Sequence, residues 1–232
     1  MCDTIFTGLE FNQHYSGKKF VKLTNELENH NGYQFQTGLN VDSIPFDPSG
    51  ECSPGGIYFC LWEKMPMWLD YDTKPMVYVR LVRIPDDAWI CIGADKFKAD
   101  RLILGDRQKI GDLEEWKDPF YCLEAMKENG NALKWVAKQT AEVCLEAVKQ
   151  DADSLRYVLE QTPEICLAAI KKNSYALRYV LEQTPELCLK SIQLNPVVLQ
   201  YVKDQTEELC LEAISRDFLA AQYVKIVLGS SE

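Results

Sequence analysis

The chain has only two histidines, His14 and His30. It has no run near the roughly 20 apolar residues that a membrane-spanning helix needs. Its first residues, Met1-Cys2-Asp3-Thr4, carry neither the basic nor the apolar segment of a secretory signal. It also lacks a basic surplus. The formal net charge is −10 and the pI is near 4.8. Residues 1–112 hold 12 basic and 16 acidic side chains, and residues 113–232 hold 13 and 19, so neither half has the global signature of a nucleic-acid binder. No glycine-rich phosphate loop occurs, and Ser53-Pro54-Gly55-Gly56 reads as a turn. His14, His30, Cys52 and Cys60 lie 16, 22 and 8 residues apart, spacings that match no compact metal-ligand pair. The reading is therefore no membrane span, no metal and no resident cofactor.

Cysteine is abundant by contrast. There are nine, and five recur every 22 residues: Cys122, Cys144, Cys166, Cys188 and Cys210. Leu follows each of them, an Asn or Asp stands seven residues on (Asn129, Asp151, Asn173, Asn195, Asp217), and an aromatic thirteen on (Trp135, Tyr157, Tyr179, Tyr201, Tyr223). Gln-Thr closes the first four units, from Gln139-Thr140 to Gln205-Thr206. Thr162-Pro163-Glu164 and Thr184-Pro185-Glu186 are helix starts, in which Thr caps, Pro suits the first helical position and Glu complements the dipole. The repeated Asn or Asp reads as the cap of a second helix. The expectation is two helices of about nine residues per unit, too short to be stable alone and therefore stacked on their neighbours.

Equivalent cysteines in units stacked about 8–10 Å apart are too distant for a disulfide. They read as small buried hydrophobes, and nine cysteines without a secretory signal fit reduced thiols in an intracellular compartment.

Residues 1–112 contain most of the glycines and several β-rich runs. Residues 76–84 alternate like a strand, and Trp89-Ile90-Cys91-Ile92, Arg101-Leu102-Ile103-Leu104 and Ile57-Tyr58-Phe59-Cys60 are further candidates. Residues 63–70 read as a short helix. The expected fold class is thus α+β: a small N-terminal α+β domain (1–112), a junction (113–117) and an α-solenoid of five 22-residue helix-hairpin repeats (118–232).

Two resemblances add to this reading. Lys22-Leu23-Thr24-Asn25-Glu26, His30-Asn31-Gly32-Tyr33-Gln34-Phe35, Pro45-Phe46-Asp47-Pro48 and Cys52-Ser53-Pro54-Gly55-Gly56-Ile57-Tyr58-Phe59 resemble a domain of giant DNA viruses of the mimivirus and marseillevirus type, where it often precedes ankyrin or other helical repeats. The C-terminal units resemble a short-repeat family of unknown function from the same viruses. The resemblance implies a viral protein inside the host, in cytoplasm or nucleus, or in the virion, and not secreted. Gly38-Leu39, Gly55-Gly56-Ile57-Tyr58-Phe59 and Tyr71 are also similar in order to part of the ADP-ribosyltransferase fold. That likeness implies a site for NAD or a related nucleotide around His30, Gly56, Tyr58 and Tyr71. The family's histidine step falls near Lys22-Leu23-Thr24, where no histidine stands, and its glutamate has no counterpart, which points to a degenerate enzyme.

Three functions follow. The first is a non-enzymatic scaffold or adaptor whose array binds a host or viral protein, or a second copy of the chain. Positions two, eight and nine residues after the cysteine differ between units, and Tyr175, Val197, Phe218 and Leu219 there form an apolar strip. The second is the nucleotide site just described. The third is nucleic-acid binding by a basic-aromatic stripe of Lys134, Arg156 and Arg178 beside the aromatic column. A solvated face, with each Arg paired to the Glu four residues on, is the plainer account of those cations.

Overall fold

Alternation decides the first half. In the run Tyr78-Val79-Arg80-Leu81-Val82-Arg83 successive side chains point to opposite faces: Tyr78, Arg80 and Val82 are buried on one, while Leu81 and Arg83 on the other are exposed. A computed structural model of the chain describes residues 5–30, 32–48, 53–70 and 75–226. It divides into two units, Met1–Glu114 and Glu115–Glu232.

In the first unit the strands are β1 (Ile5–Thr7), β2 (Phe20–Thr24), β3 (Asn29–His30), β4 (Tyr33–Gln34), β5 (Gly38–Val41), β6 (Ile57–Leu61), β7 (Tyr78–Arg83), β8 (Trp89–Ile92), β9 (Phe97–Ala99) and β10 (Arg101–Lys109). Eight form one sheet in the order β1-β8-β9-β6-β2-β7-β10-β5, all neighbours antiparallel, while β3 and β4 pair separately. One helix, α1 (Gly8–His14), starts from a capping box in which Thr7 and Glu10 bond reciprocally. Gly8 is required there, because a Cβ would stand 1.8 Å from the Pro85 carbonyl oxygen. The core is aromatic: Phe11 of α1 packs 5.1 Å from Phe20 and 5.2 Å from Phe97, with Phe59 stacked 5.3 Å from Phe97. Tilted, edge-on and stacked ring contacts of this kind add to what these rings gain by burial.

In the second unit each repeat is one α-helix and one 3₁₀ segment. The α-helices are α2 (Pro119–Glu128), α3 (Ala141–Gln150), α4 (Pro163–Lys172), α5 (Pro185–Leu194) and α6 (Glu207–Arg216). The 3₁₀ segments are Gly130–Trp135, Ala152–Tyr157, Ser174–Tyr179, Pro196–Tyr201 and Phe218–Tyr223. Each α-helix packs on the next and on the 3₁₀ segments beside it.

The expected fold class is corrected on both sides. The first unit is dominated by an eight-stranded antiparallel sheet rather than being a small α+β domain. The second is not an α-solenoid of five helix hairpins, because the second element of every repeat is six residues of 3₁₀ helix. The physical reason lies in the buried positions. Leu177 and Val180 are buried one three-residue turn apart, as are Leu133 and Val136, Leu155 and Val158, and Leu199 and Val202. Val180 is extended, and its N–H closes an i→i+3 bond on Leu177 instead of continuing an α-helix. The short helix expected at residues 63–70 is likewise 3₁₀, Trp62–Trp68.

The caps work as the residue types require. Thr162 accepts from the Ile165 N–H at 3.3 Å, and Asn173 ends α4 while its side chain accepts from the Tyr175 N–H at 3.0 Å. Asn173→Ala is expected to cost about 0.5–2 kcal/mol. Lys171→Ala, on an exposed face, should change stability by less than about 0.5 kcal/mol. Urea denaturation of the two variants checks this, and equal losses would mean that Asn173 is not a cap.

Candidate functional site

Two places in the molecule carry enough organisation to be sites: the outer surface of the array and a cavity in the sheet unit.

On the array, the glutamine closing each repeat holds the next one. Gln161 donates Nε2 to the carbonyl of Leu155 (3.1 Å) in its own repeat and to Tyr179 (2.9 Å) in the following one. Its Oε1 accepts from the Leu181 N–H at 2.9 Å and from the Cys166 thiol at 3.7 Å. Gln139, Gln183 and Gln205 repeat the pattern. The cysteines of the array are buried and free, and burial raises their thiol pKa values. A thiol kept protonated can donate to the glutamine oxygen and is a poor nucleophile. Cys91 of the first unit departs from the expectation of reduced cysteines: it is disulfide-bonded.

The same glutamines fix what the array exposes. Fifteen residues after the cysteine stand Ala137, Leu159, Leu181, Lys203 and Lys225. Leu159 and Leu181 are 67% and 65% exposed, although their backbones are held by Gln139 and Gln161. Lys203 folds back to donate to the carbonyls of Val180 (3.0 Å) and Leu181 (2.9 Å). Sequence reasoning missed these two leucines, though the variation at their position is visible in the repeat alignment.

The sequence-derived partner residues are placed as follows. Tyr175 and Val197 are half-buried, with Tyr175 edge-on to Tyr201 at 6.0 Å, whereas Phe218 and Leu219 are exposed. Lys134, Arg156 and Arg178 lie over their own neighbouring rings, Trp135, Tyr157 and Tyr179, at 5.4, 4.7 and 4.6 Å. Arg178 pairs with Asp153 of the preceding repeat at 2.6 Å, and Arg156 donates to Asn131 at 3.3 Å. The arginines thus link successive repeats rather than pairing with Glu160 and Glu182. Their planes already cover the ring faces on which bases would stack.

The cavity, about 250 Å³, lies against β2 and β6. Its wall includes Lys22, Phe35, Tyr58, Trp68, His30 and Lys96. It therefore brings together two of the nucleotide-site positions, His30 and Tyr58. Gly56 is not on its wall, and Tyr71 lies outside the described residues. Lys22 is only 8% exposed and its ammonium sits 4.8 Å over the Phe35 ring. Burial lowers its pKa from the usual lysine range to about 8, and the same burial pushes the neighbouring Cys60 thiol up to about 12. Among the described residues no group of three or more His, Cys, Asp and Glu side chains is placed to hold a metal ion, and no helix is long and apolar enough to cross a membrane.

Comparison with known proteins gives relatives of one kind. A family model described as a domain of unknown function (DUF4116) matches residues 142–183. Uncharacterized protein R869 of Acanthamoeba polyphaga mimivirus is 32% identical over 107 residues, 45% of this chain and 78% of that protein. Two mimivirus proteins with the provisional names ankyrin repeat protein R229 and R868 are 32% and 31% identical, over 54% and 53% of this chain. The chain spans 45% and 62% of their respective lengths. The 22-residue period here is shorter than the roughly 33 residues of an ankyrin repeat. No solved structure matches the chain.

Proposed function

The chain belongs to the giant-virus family that includes uncharacterized protein R869 of Acanthamoeba polyphaga mimivirus, and from that premise we propose that it is a non-enzymatic interaction protein whose repeat array binds a host or viral protein inside the infected cell. The observation that carries this reading is the exposure of Leu159 and Leu181 at equivalent positions of successive repeats. Each sits on backbone fixed by a glutamine bracket, so the pair forms a preset apolar step at little further ordering cost on binding. Stacked repeats commonly use such a continuous face for recognition, and the repeat-type names of R229 and R868 agree with it. Phe218 and Leu219 are exposed as well, at other positions of the last repeat.

The array is favoured over the basic-aromatic stripe because the stripe's cations are engaged within the protein, by Asp153, Asn131 and their own rings. The test is affinity capture of the tagged full chain from infected host cells, compared with the Leu159→Glu/Leu181→Glu variant. Loss of a specific protein partner, with an unchanged melting temperature, is the expected result. A partner set identical for both proteins would remove the array face from the function. Val197→Asp, at a half-buried position, is expected instead to lower the melting temperature.

A further inference from the structure

Among its described residues the sheet unit buries two lysines, and it treats them differently. Lys98 donates to three oxygens, the carbonyls of Asp47 (2.7 Å) and Pro54 (3.1 Å) and the Ser53 hydroxyl (3.0 Å). Lys22 is also buried, but among the described residues nothing accepts from its ammonium; its close neighbours are the Phe35 ring and the Cys60 thiol. A buried ammonium is normally paired, because leaving it unpaired costs several kcal/mol. Here the charge lines a cavity.

The rest of the wall says what would satisfy it. Phe35, Tyr58, Phe59 and Trp68 make it aromatic, and Lys96 lies 4.9 Å over Tyr58 and 5.1 Å over Trp68. Among the described residues no carboxylate lines the cavity; its charged side chains are Lys22 and Lys96. In a chain of net charge −10 this is a local positive site. Of the carboxylates next along the chain, Glu28 is committed to Arg80 and Arg107, and Glu26 accepts from the Tyr78 hydroxyl at 3.3 Å. An apolar cavity of roughly 150 Å³ takes a benzene ring, so about 250 Å³ takes a ring system with a polar substituent.

We propose that this cavity binds a small aromatic carboxylate, its ring among Phe35, Tyr58 and Trp68 and its carboxylate paired with Lys22. The site belongs to the sheet unit and is independent of the partner-binding face of the array. Charge, shape and the missing acceptor all point the same way: an anion supplies the oxygens that Lys22 lacks, and a planar ring matches the wall. The groups around Lys22 are Cys60 from β6, Thr24 from its own strand, Arg80 opposite it on β7, and His30 and Lys96 on the cavity wall. The Glu28 carboxylate, bonded to Thr24, is neutralised by Arg80 and Arg107, so a bound carboxylate draws Lys22 back to its protonated form. Binding above pH 8 therefore takes up protons.

The experiment is calorimetry on the full chain with 2-naphthoate, and with the neutral 2-naphthamide as the matched control. At pH 8.5, in two buffers of different ionisation enthalpy, naphthoate is expected to bind with uptake of a substantial fraction of a proton. The amide should bind at least about tenfold more weakly, as should naphthoate to the Lys22→Met variant. That variant removes an unpartnered buried charge, so it should melt no lower than the wild type, and Phe35→Leu provides a second variant that keeps the lysine and loses the ring contact. No heat with naphthoate, equal affinity for acid and amide, or full affinity in Lys22→Met would each overturn the proposal.

Discussion

Glu28→Ala is expected to destabilise the sheet unit by about 3–5 kcal/mol, since it strips the carboxylate from a buried ion pair and leaves the cation in place. Arg80, 4% exposed in the middle of the sheet, donates Nε and Nη2 to the two Glu28 oxygens at 2.7 and 3.0 Å. The Arg80 guanidinium also reaches the Gly105 carbonyl (2.7 Å) and the Thr37 hydroxyl (3.0 Å). Gly105 lies where the pairing of β10 with β7 shifts register, so one arginine ties the bulge, the strand and the loop together. Arg107 adds a third contact to Glu28 at 3.3 Å. Glu28 is also held at φ 49°, a region that disfavours side chains, so the ion pair outweighs a backbone cost.

The acid limb of stability follows from the same contacts. Hydrogen bonds from Arg80 chiefly hold the Glu28 carboxyl below its ordinary value of 4.5. A depressed native pKa contributes stability that is present above the unfolded value and is lost as pH falls through the folded one. Hydrogen exchange on β2 and β7 should show a fall below pH 4.5 that is absent in Glu28→Gln. Amides of α3 to α6 serve as the internal reference. A loss under 1 kcal/mol in Glu28→Ala would mean that Arg80 finds other acceptors and the pair is not structural.

What the sequence carried, and what it withheld, divides along the range of the interactions. The repeat, its caps and the edges of each α-helix were legible because they depend on residues within four positions of each other, as in Thr162 with Ile165 or Asn173 with Tyr175. The strand at Tyr78–Arg83 was legible from alternation, and β8 from its β-branched and aromatic content. The 3₁₀ character of the second elements was misread. Six residues are too few to separate a period of 3.0 from 3.6 without knowing which of them are buried. Strand β2 carries a lysine, Lys22, in the sheet, and its partners on β6 and β7 lie 39 and 54 residues further along the chain (Val21↔Cys60, Thr24↔Tyr78 in register). The cavity wall forms only where β2 and β6 meet the segments that carry Phe35, Trp68 and Lys96. The ADP-ribosyltransferase-like pattern drew attention to His30 and Tyr58, but Lys22 entered the reading only within the Lys22–Glu26 segment of the viral resemblance and as the place where a histidine was missing. Burial without a partner makes it conspicuous, and burial is a property of the fold.

The glutamines were read as punctuation, and their chemistry sets the second large effect. Gln161→Leu is expected to cost the array about 2–4 kcal/mol, because the Leu155 and Tyr179 carbonyls and the Leu181 N–H lose their partner together in part-buried surroundings. The orientation of the amide is fixed by what surrounds it: two carbonyls need the nitrogen, and one N–H with one thiol needs the oxygen. Gln161→Glu therefore separates shape from donation. A carboxylate still accepts from Leu181 but presents charge to two carbonyls, so it should be at least as damaging at pH 7, with part of the loss recovered when acid protonates the carboxyl. Because Gln161 bridges the second and third repeats, the damage should be directional. In an array whose units touch only their neighbours, weakening one interface divides the unfolding unit. Hydrogen exchange in Gln161→Leu should show residues 163–226 opening independently of residues 119–157, where the wild type opens them together. Uniform loss of protection along the array, or a cost below 1 kcal/mol, would show that apolar stacking of the α-helices, and not the glutamine bracket, couples the repeats.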